Sequence, residues 1–208
     1  MGNLSIRSRR AACGMGLTLA LAVLVQASPL ADNWPQWRGP LLNGVSAETN
    51  LPVRWSATEN VAWRLALPAW SGSTPVVWGE HVFLNVAEGR DLYLWSVDRA
   101  RGTMRWKRLL SGGNMRARKQ NMSSPSPVTD GQHVWVMTGT GVLKAFDLAG
   151  TEVWARDLPK EYGAFGMQYG YGSSPLLAGD SLYVQVLHGW DTDDPSYVLR
   201  IAKANGRT

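Results

Sequence analysis

A glycine turn followed four residues later by a tryptophan recurs along this chain, and that recurrence restricts the fold more than any other feature. Ser96–Trp106 runs Ser-Val-Asp-Arg-Ala-Arg-Gly-Thr-Met-Arg-Trp, Ala145–Trp154 repeats the pattern one residue shorter, and Arg200–Thr208 begins it again. Gly accepts a positive φ without penalty, which a tight reversal needs, and Asp tolerates turn geometry and bonds to nearby backbone. Trp63, Trp106 and Trp154 are 43 and 48 residues apart, and Pro75, Pro127 and Pro175 are 52 and 48 apart. Period-2, β-rich segments lie between these marks. They predict strands at about 75–78, 82–87, 91–97 and 103–109, then 127–129, 133–138, 141–147 and 151–156. A period of 40–50 residues built from four short strands indicates a radial or solenoid repeat. With aromatic residues to wedge between sheets, the expected fold is all-β, a β-propeller of four-stranded blades. A β-sandwich would not demand this regular Gly-to-Trp recurrence.

The N-terminus reads differently. Arg7, Arg9 and Arg10 precede an apolar run, Ala11–Val25, and Val25-Gln26-Ala27 offers a cleavage site after Ala27. This is the pattern of an export signal, and it implies a periplasmic or secreted protein. The alternative, an uncleaved anchor, needs about 20 apolar residues, so no stable membrane insertion is expected after cleavage. Ser8-Arg9-Arg10 leaves the twin-arginine route open beside the general one. Cleavage would leave 18 basic residues against 16 acidic, so the formal charge of +5 says little for nucleic acid as a partner. The single cysteine, Cys13, falls inside the signal, and the mature chain would carry no disulfide.

After the signal, Asn33–Pro40 holds two Pro and a Gly and predicts an irregular arm at 28–50. Trp34 and Trp37 on that arm are expected to bury against the domain. Residues 51–208 form the expected repeat region. In it, 51–68 completes a blade, 75–109 and 127–157 are whole blades, and 175–208 is incomplete. No stretch after the signal shows helical periodicity. A propeller needs about 4–8 blades, so the chain reads as the N-terminal part of a larger ring.

These residues resemble the PQQ-like β-propeller repeat, named for the quinoprotein dehydrogenases, whose motif runs approximately Ala-x-Asp-x-x-Thr-Gly-Lys-x-x-Trp. Ser96, Asp98, Gly102 and Trp106 occupy its main positions, and Ala145, Asp147, Gly150 and Trp154 do so with one residue deleted. In the third copy Ala202 replaces the Asp. Trp34-Pro-Gln-Trp-Arg-Gly-Pro40 and Ser123–Gly131 are similar to exported bacterial members of the group. The resemblance implies that Trp63, Trp106 and Trp154 pack against the neighbouring blade and are structural, together with Asp98, Gly102, Asp147 and Gly150. It is specific for fold and weak for function. The group contains dehydrogenases, an outer-membrane assembly lipoprotein and propellers without assigned activity.

Two long connections, Lys107–Ser126 and Ala155–Ser174, are expected on one face, near the channel mouth. The first carries Arg116, Arg118, Lys119 and Asn121, and the second carries Tyr169 and Tyr171. A basic loop beside an aromatic, Gly-rich loop suits an anionic or planar ligand or a peptide. His81 and His133 hold equivalent turn positions and read as exposed hairpin residues, and Asp191–Asp194 reads as an acidic surface loop. No Ser-His-Asp set, phosphate loop or zinc spacing stands out, so neither a catalytic residue nor a metal site is expected. Two functions follow. One is a non-catalytic exported module binding a protein, peptide or carbohydrate at the propeller face, without a cofactor. The alternative is a dehydrogenase using PQQ with calcium on an alcohol or sugar, which needs a metal and a carboxylate base.

Overall fold

The computed structural model of the chain describes residues 33–49, 51–166 and 169–208. The expected signal, 1–27, lies outside them. The first sheet contains β1 (Val76–Trp78), β2 (His81–Glu88), β3 (Asp91–Asp98) and β4 (Met104–Ser111). The second contains β5 (Val128–Thr129), β6 (His133–Met137), β7 (Val142–Asp147) and β8 (Glu152–Asp157). The third contains β9 (Leu176–Ala178), β10 (Ser181–Val186) and β11 (Tyr197–Ala202), so it has three strands. Every pairing is antiparallel between chain neighbours, giving three meanders in a row. One short helix, α1 (Leu158–Tyr162), follows β8.

The sheets stand as blades with their faces stacked, because both faces of each central strand are apolar. Along β6, Val134 and Val136 enter the core shared with the first sheet, while Trp135 and Met137 enter the core shared with the third. The alternation of β2 works the same way: Phe83 and Ala87 face the second sheet, and Val82 and Val86 face the opposite side. That opposite side also holds Trp95 and Val97, and it is covered by Trp63 and Leu65. The first strands β1, β5 and β9 lie in contact in turn and form the inner wall. This is the arrangement of neighbouring blades in an incomplete β-propeller.

One joint is repeated three times. The Trp63 ring lies against Gly102, the Trp106 ring against Gly150 and the Trp154 ring against Gly206. Each indole Nε1 donates to the carbonyl that opens the next turn: Arg99 at 2.8 Å, Leu148 at 2.9 Å and Lys203 at 2.9 Å. Gly102 sits at φ +69°, and a Cβ there would meet the Trp63 ring at 2.4 Å, so both backbone and space require glycine. A β-bulge precedes the aromatic position in both full sheets, between Ser96 and Val97 and between Ala145 and Phe146. The extra residue twists the outer strand and aims the indole at the next blade.

Several local expectations change. Residues 51–68 form no strand, since no neighbouring strand is present among the described residues to hydrogen-bond with them. Val53 is 93% exposed and Trp55 72%. Trp34 is half-buried, with its ring against Gly39, but Trp37 is 58% exposed and does not bury on the domain. His81 is not an exposed turn residue. Its ring stacks on Phe83 at 5.3 Å and its Nδ1 meets Ser96 Oγ at 2.9 Å, and burial lowers its pKa. Helix α1 was absent from the periodicity because it is a single turn, capped by Asp157 and opened by Pro159.

Candidate functional site

The inner wall carries a polar stitch built from the residues just before each blade. Thr74 N–H donates to Ser126 Oγ at 2.8 Å, and Ser126 N–H donates to Ser174 Oγ at 2.8 Å. These three residues each stand immediately before the proline that starts a blade, so the repeat itself generates the ladder. Ser71 Oγ adds a bond to Ser123 O at 2.9 Å, and buried Asn85 donates to Pro125 O and Met137 O at 3.1 Å.

The N-terminal arm crosses this wall, one residue per blade. Trp34 exchanges both backbone bonds with Val77 of β1 at 2.9 Å. Pro35 O accepts from Thr129 N–H of β5 at 2.9 Å, and Gln36 Oε1 accepts from Leu177 N–H of β9 at 3.4 Å. Val77, Thr129 and Leu177 hold the same place in their repeats, two residues after the blade-opening proline. The arm thus covers inward-facing strand edges that would otherwise offer unpaired donors.

Beyond the arm lies a cavity of about 730 Å³. The arm supplies Gln36, Trp37 and Arg38 to its wall, and the two long connections supply Gln120, Ser124 and Tyr169. Gly172 allows those connections to meet, since a Cβ there would fall 2.1 Å from Gln120 Oε1. Arg38 is the one charged side chain among the described residues lining this cavity.

The six residues singled out on the loops divide by environment. Arg118 lies 5.9 Å and Lys119 Nζ 5.4 Å from the Tyr169 ring centroid, so these three converge at the cavity rim. Arg116 turns away to the Trp70 ring at 5.7 Å. All three cations are exposed, and none makes an ion pair among the described residues. Asn121 and Tyr171 are buried and bonded internally. Asn121 donates to Trp70 O at 2.7 Å and accepts from Ser123 N–H at 3.1 Å. Tyr171 donates to Gln185 O at 2.6 Å, and burial pushes its phenol well above the ordinary value. Gln120 and Ser124 are among the wall residues that sequence reasoning did not select, and Trp37 was expected to bury. Only the exposure of Trp37 beside the arm's turn sets it apart, and no sequence pattern carries that.

The described wall of this cavity does not by itself supply the donors of a calcium-bound quinone. The cavity wall has hydroxyls and amides but no carboxylate, while calcium takes mainly carboxylate and carbonyl oxygens. Among the described residues no three His, Cys, Asp or Glu side chains gather as a metal site. The Asp191, Asp193 and Asp194 carboxylates stand on an exposed loop.

A family model described as "Outer membrane protein assembly factor BamB" matches residues 45–168, more than half of the chain. No curated protein matches. Among solved structures, a europium-containing methanol dehydrogenase superposes with a TM-score of 0.52 at 16% identity, over 70% of this chain and 25% of that one. BamB from Moraxella catarrhalis superposes with a TM-score of 0.50 at 18% identity, over 71% of this chain and 46% of that one. A quinohemoprotein alcohol dehydrogenase from Comamonas testosteroni gives 0.49 at 15% identity, over 65% and 20%. At these identities the likeness is one of fold, and the chain spans less than half the length of each of these structures.

Proposed function

The chain belongs to the PQQ-type β-propeller family of the outer membrane protein assembly factor BamB, and from that premise we propose that it is a non-catalytic binding module for an acidic protein or peptide segment. The observation carrying this reading is the set Arg116, Arg118 and Lys119. These are exposed cations, each over an aromatic ring, with no acidic partner among the described residues. A cation already positioned on a ring loses less freedom when it meets a carboxylate, and an unpaired one has no internal bond to break. The family description supports a protein partner, and the basic-then-apolar N-terminus supports export to the periplasm or beyond. No helix among the described residues is long and apolar enough to cross a membrane.

The test is a peptide array probed with the full chain at low and high salt. Acidic peptides are expected to bind, to weaken with salt, and to bind at least about tenfold less well to the Arg116→Ala/Arg118→Ala/Lys119→Ala variant. Equal capture by that variant, or binding that ignores peptide charge, overturns the reading. So does dye reduction with an alcohol or sugar when the full chain is supplied with PQQ and calcium.

A further inference from the structure

Cations on an exposed rim attract acidic segments but choose poorly among them, because exposed charge pairs contribute little and are screened by salt. Selection needs a contact that excludes water. Behind Arg118 and Lys119 lies the 730 Å³ cavity, whose wall includes Tyr169, the ring both cations cover. Trp37, Leu42 and Leu176 join Tyr169 as large apolar side chains left exposed there. Leu42 is held at φ +57°, a left-handed conformation that a bulky side chain rarely adopts. Exposed at 43%, it is not held there by burial in a core, and backbone strain of this kind gathers at functional sites.

The loop that presents Trp37 and Leu42 is closed on itself. Gly44 N–H donates to Arg38 O at 3.0 Å, and the Arg38 guanidinium donates to Asn43 O at 3.3 Å while standing 5.9 Å from the Trp37 ring centroid. Its rings and chains are therefore positioned before anything binds, which lowers the ordering cost of binding. A segment cannot enter by adding a strand along the inner edge, since the N–H groups of Val77, Thr129 and Leu177 are taken by Trp34, Pro35 and Gln36. Recognition at this wall is left to side chains, and a flat apolar wall flanked by cations suits an aromatic ring next to carboxylates. The distances set the spacing. Arg118 lies 5.9 Å and Lys119 Nζ 5.4 Å from the Tyr169 centroid, and an extended segment advances about 3.3 Å per residue. A ring in the cavity and an acid on these cations thus belong within about three residues of each other.

We infer that the cavity is an anchor pocket, which takes one aromatic side chain of the acidic partner segment between Trp37, Leu42 and Tyr169 while neighbouring carboxylates meet Arg118 and Lys119. This rests on the acidic-segment reading and adds the residue that gives it selectivity. The experiment uses dye-labelled synthetic peptides of Glu, Gly and Ser, identical except for a central Ala, Leu, Phe, Tyr or Trp, titrated with the full chain and read by fluorescence anisotropy. The aromatic peptides should bind at least about tenfold more tightly than the Ala peptide. That gain should vanish in Trp37→Ala and return in part in Trp37→Phe, while binding of the Ala peptide stays unchanged. Leu42→Asn suits the left-handed backbone, so it should weaken the aromatic peptides without lowering the thermal midpoint. Equal affinity for the Ala and aromatic peptides overturns the inference and leaves the acidic-segment reading standing. An aromatic gain that persists when every Glu is replaced by Gln, with no loss of affinity, supports the pocket and overturns the acidic-segment reading instead. A gain indifferent to Trp37 and Leu42 overturns the inference. So does free phenylacetate or indole-3-acetate binding as tightly as the aromatic peptides, which would make the cavity a small-molecule site.

Discussion

Asp98 and Asp147 hold the same post in successive blades, and each works by accepting backbone N–H groups in its own turn. Asp98 Oδ1 accepts from Arg101 N at 2.9 Å and from Ala100 N at 3.1 Å, and its other oxygen meets Arg105. Asp147 Oδ1 accepts from Thr151 N at 2.7 Å. These bonds favour the ionised form. The Arg101 N–H first, then the Arg105 guanidinium, holds Asp98 below the usual carboxylate value, and the Thr151 N–H does the same for Asp147. A carboxylate whose folded pKa is depressed contributes stability above its unfolded value, about 3.9, and loses it as pH falls through the folded value. Thermal midpoints should therefore drop as pH falls below about 4. The Asp98→Asn/Asp147→Asn variant should be less stable at neutral pH but show a shallower acid decline, and an unchanged decline would remove these residues from it. The third turn provides an internal comparison: Ala202 holds the post, and Asn205 Oδ1 accepts from Arg207 N at 3.1 Å instead. Such turns were legible in the sequence because their side-chain-to-backbone bonds join residues within four positions of one another. The burial of Asn121 and Tyr171 was not legible, since it depends on Trp70 and Gln185, which lie well away in sequence.

At the scale of the element, strands were readable where apolar residues fall on both faces between Gly turns, as in β2 and β6. Residues 51–68 have comparable composition but no pairing partner among the described residues, and they remain coil. Strand character is thus a property of the pair and not of the segment. The indole joint shows which contacts hold paired strands into a stack. Trp106 leaves β4, tilts against Phe83 of its own blade at 5.8 Å and Phe146 of the next at 6.4 Å, and donates to Leu148 O. It touches both blades, so truncation should loosen the stack and leave each sheet's own pairing intact. Trp106→Ala should cost about 2–3 kcal/mol, below the range for a fully buried Trp because the ring keeps some exposure. Chemical denaturation would measure it. A cost under about 0.5 kcal/mol would place the joint's stability in the aliphatic cores.

At the scale of the whole molecule, the arm shows how a repeat and a non-repeat are fitted together. Each blade presents the same inward N–H, at Val77, Thr129 and Leu177, and the arm answers with consecutive residues Trp34, Pro35 and Gln36. That match requires the three inner strands to be neighbours in order, which the contacts of β1 with β5 and of β5 with β9 show. The repeat spacing made the blades legible. The arm's course was not, because Trp-Pro-Gln has no periodicity and its partners are 43, 94 and 141 residues away. The arrangement predicts a specific pattern of hydrogen exchange. Deleting residues 33–44 should speed exchange at the Val77, Thr129 and Leu177 amides by at least about tenfold, since each would face the channel without an acceptor. Amides in the middle of β2 and β6 donate to neighbouring strands and should keep their protection. If the deletion instead raised exchange throughout all three sheets, the arm would be part of the cooperative core and not a clip laid across it. If the three amides stayed protected, the contacts of the arm would contribute nothing to closing the inner edge.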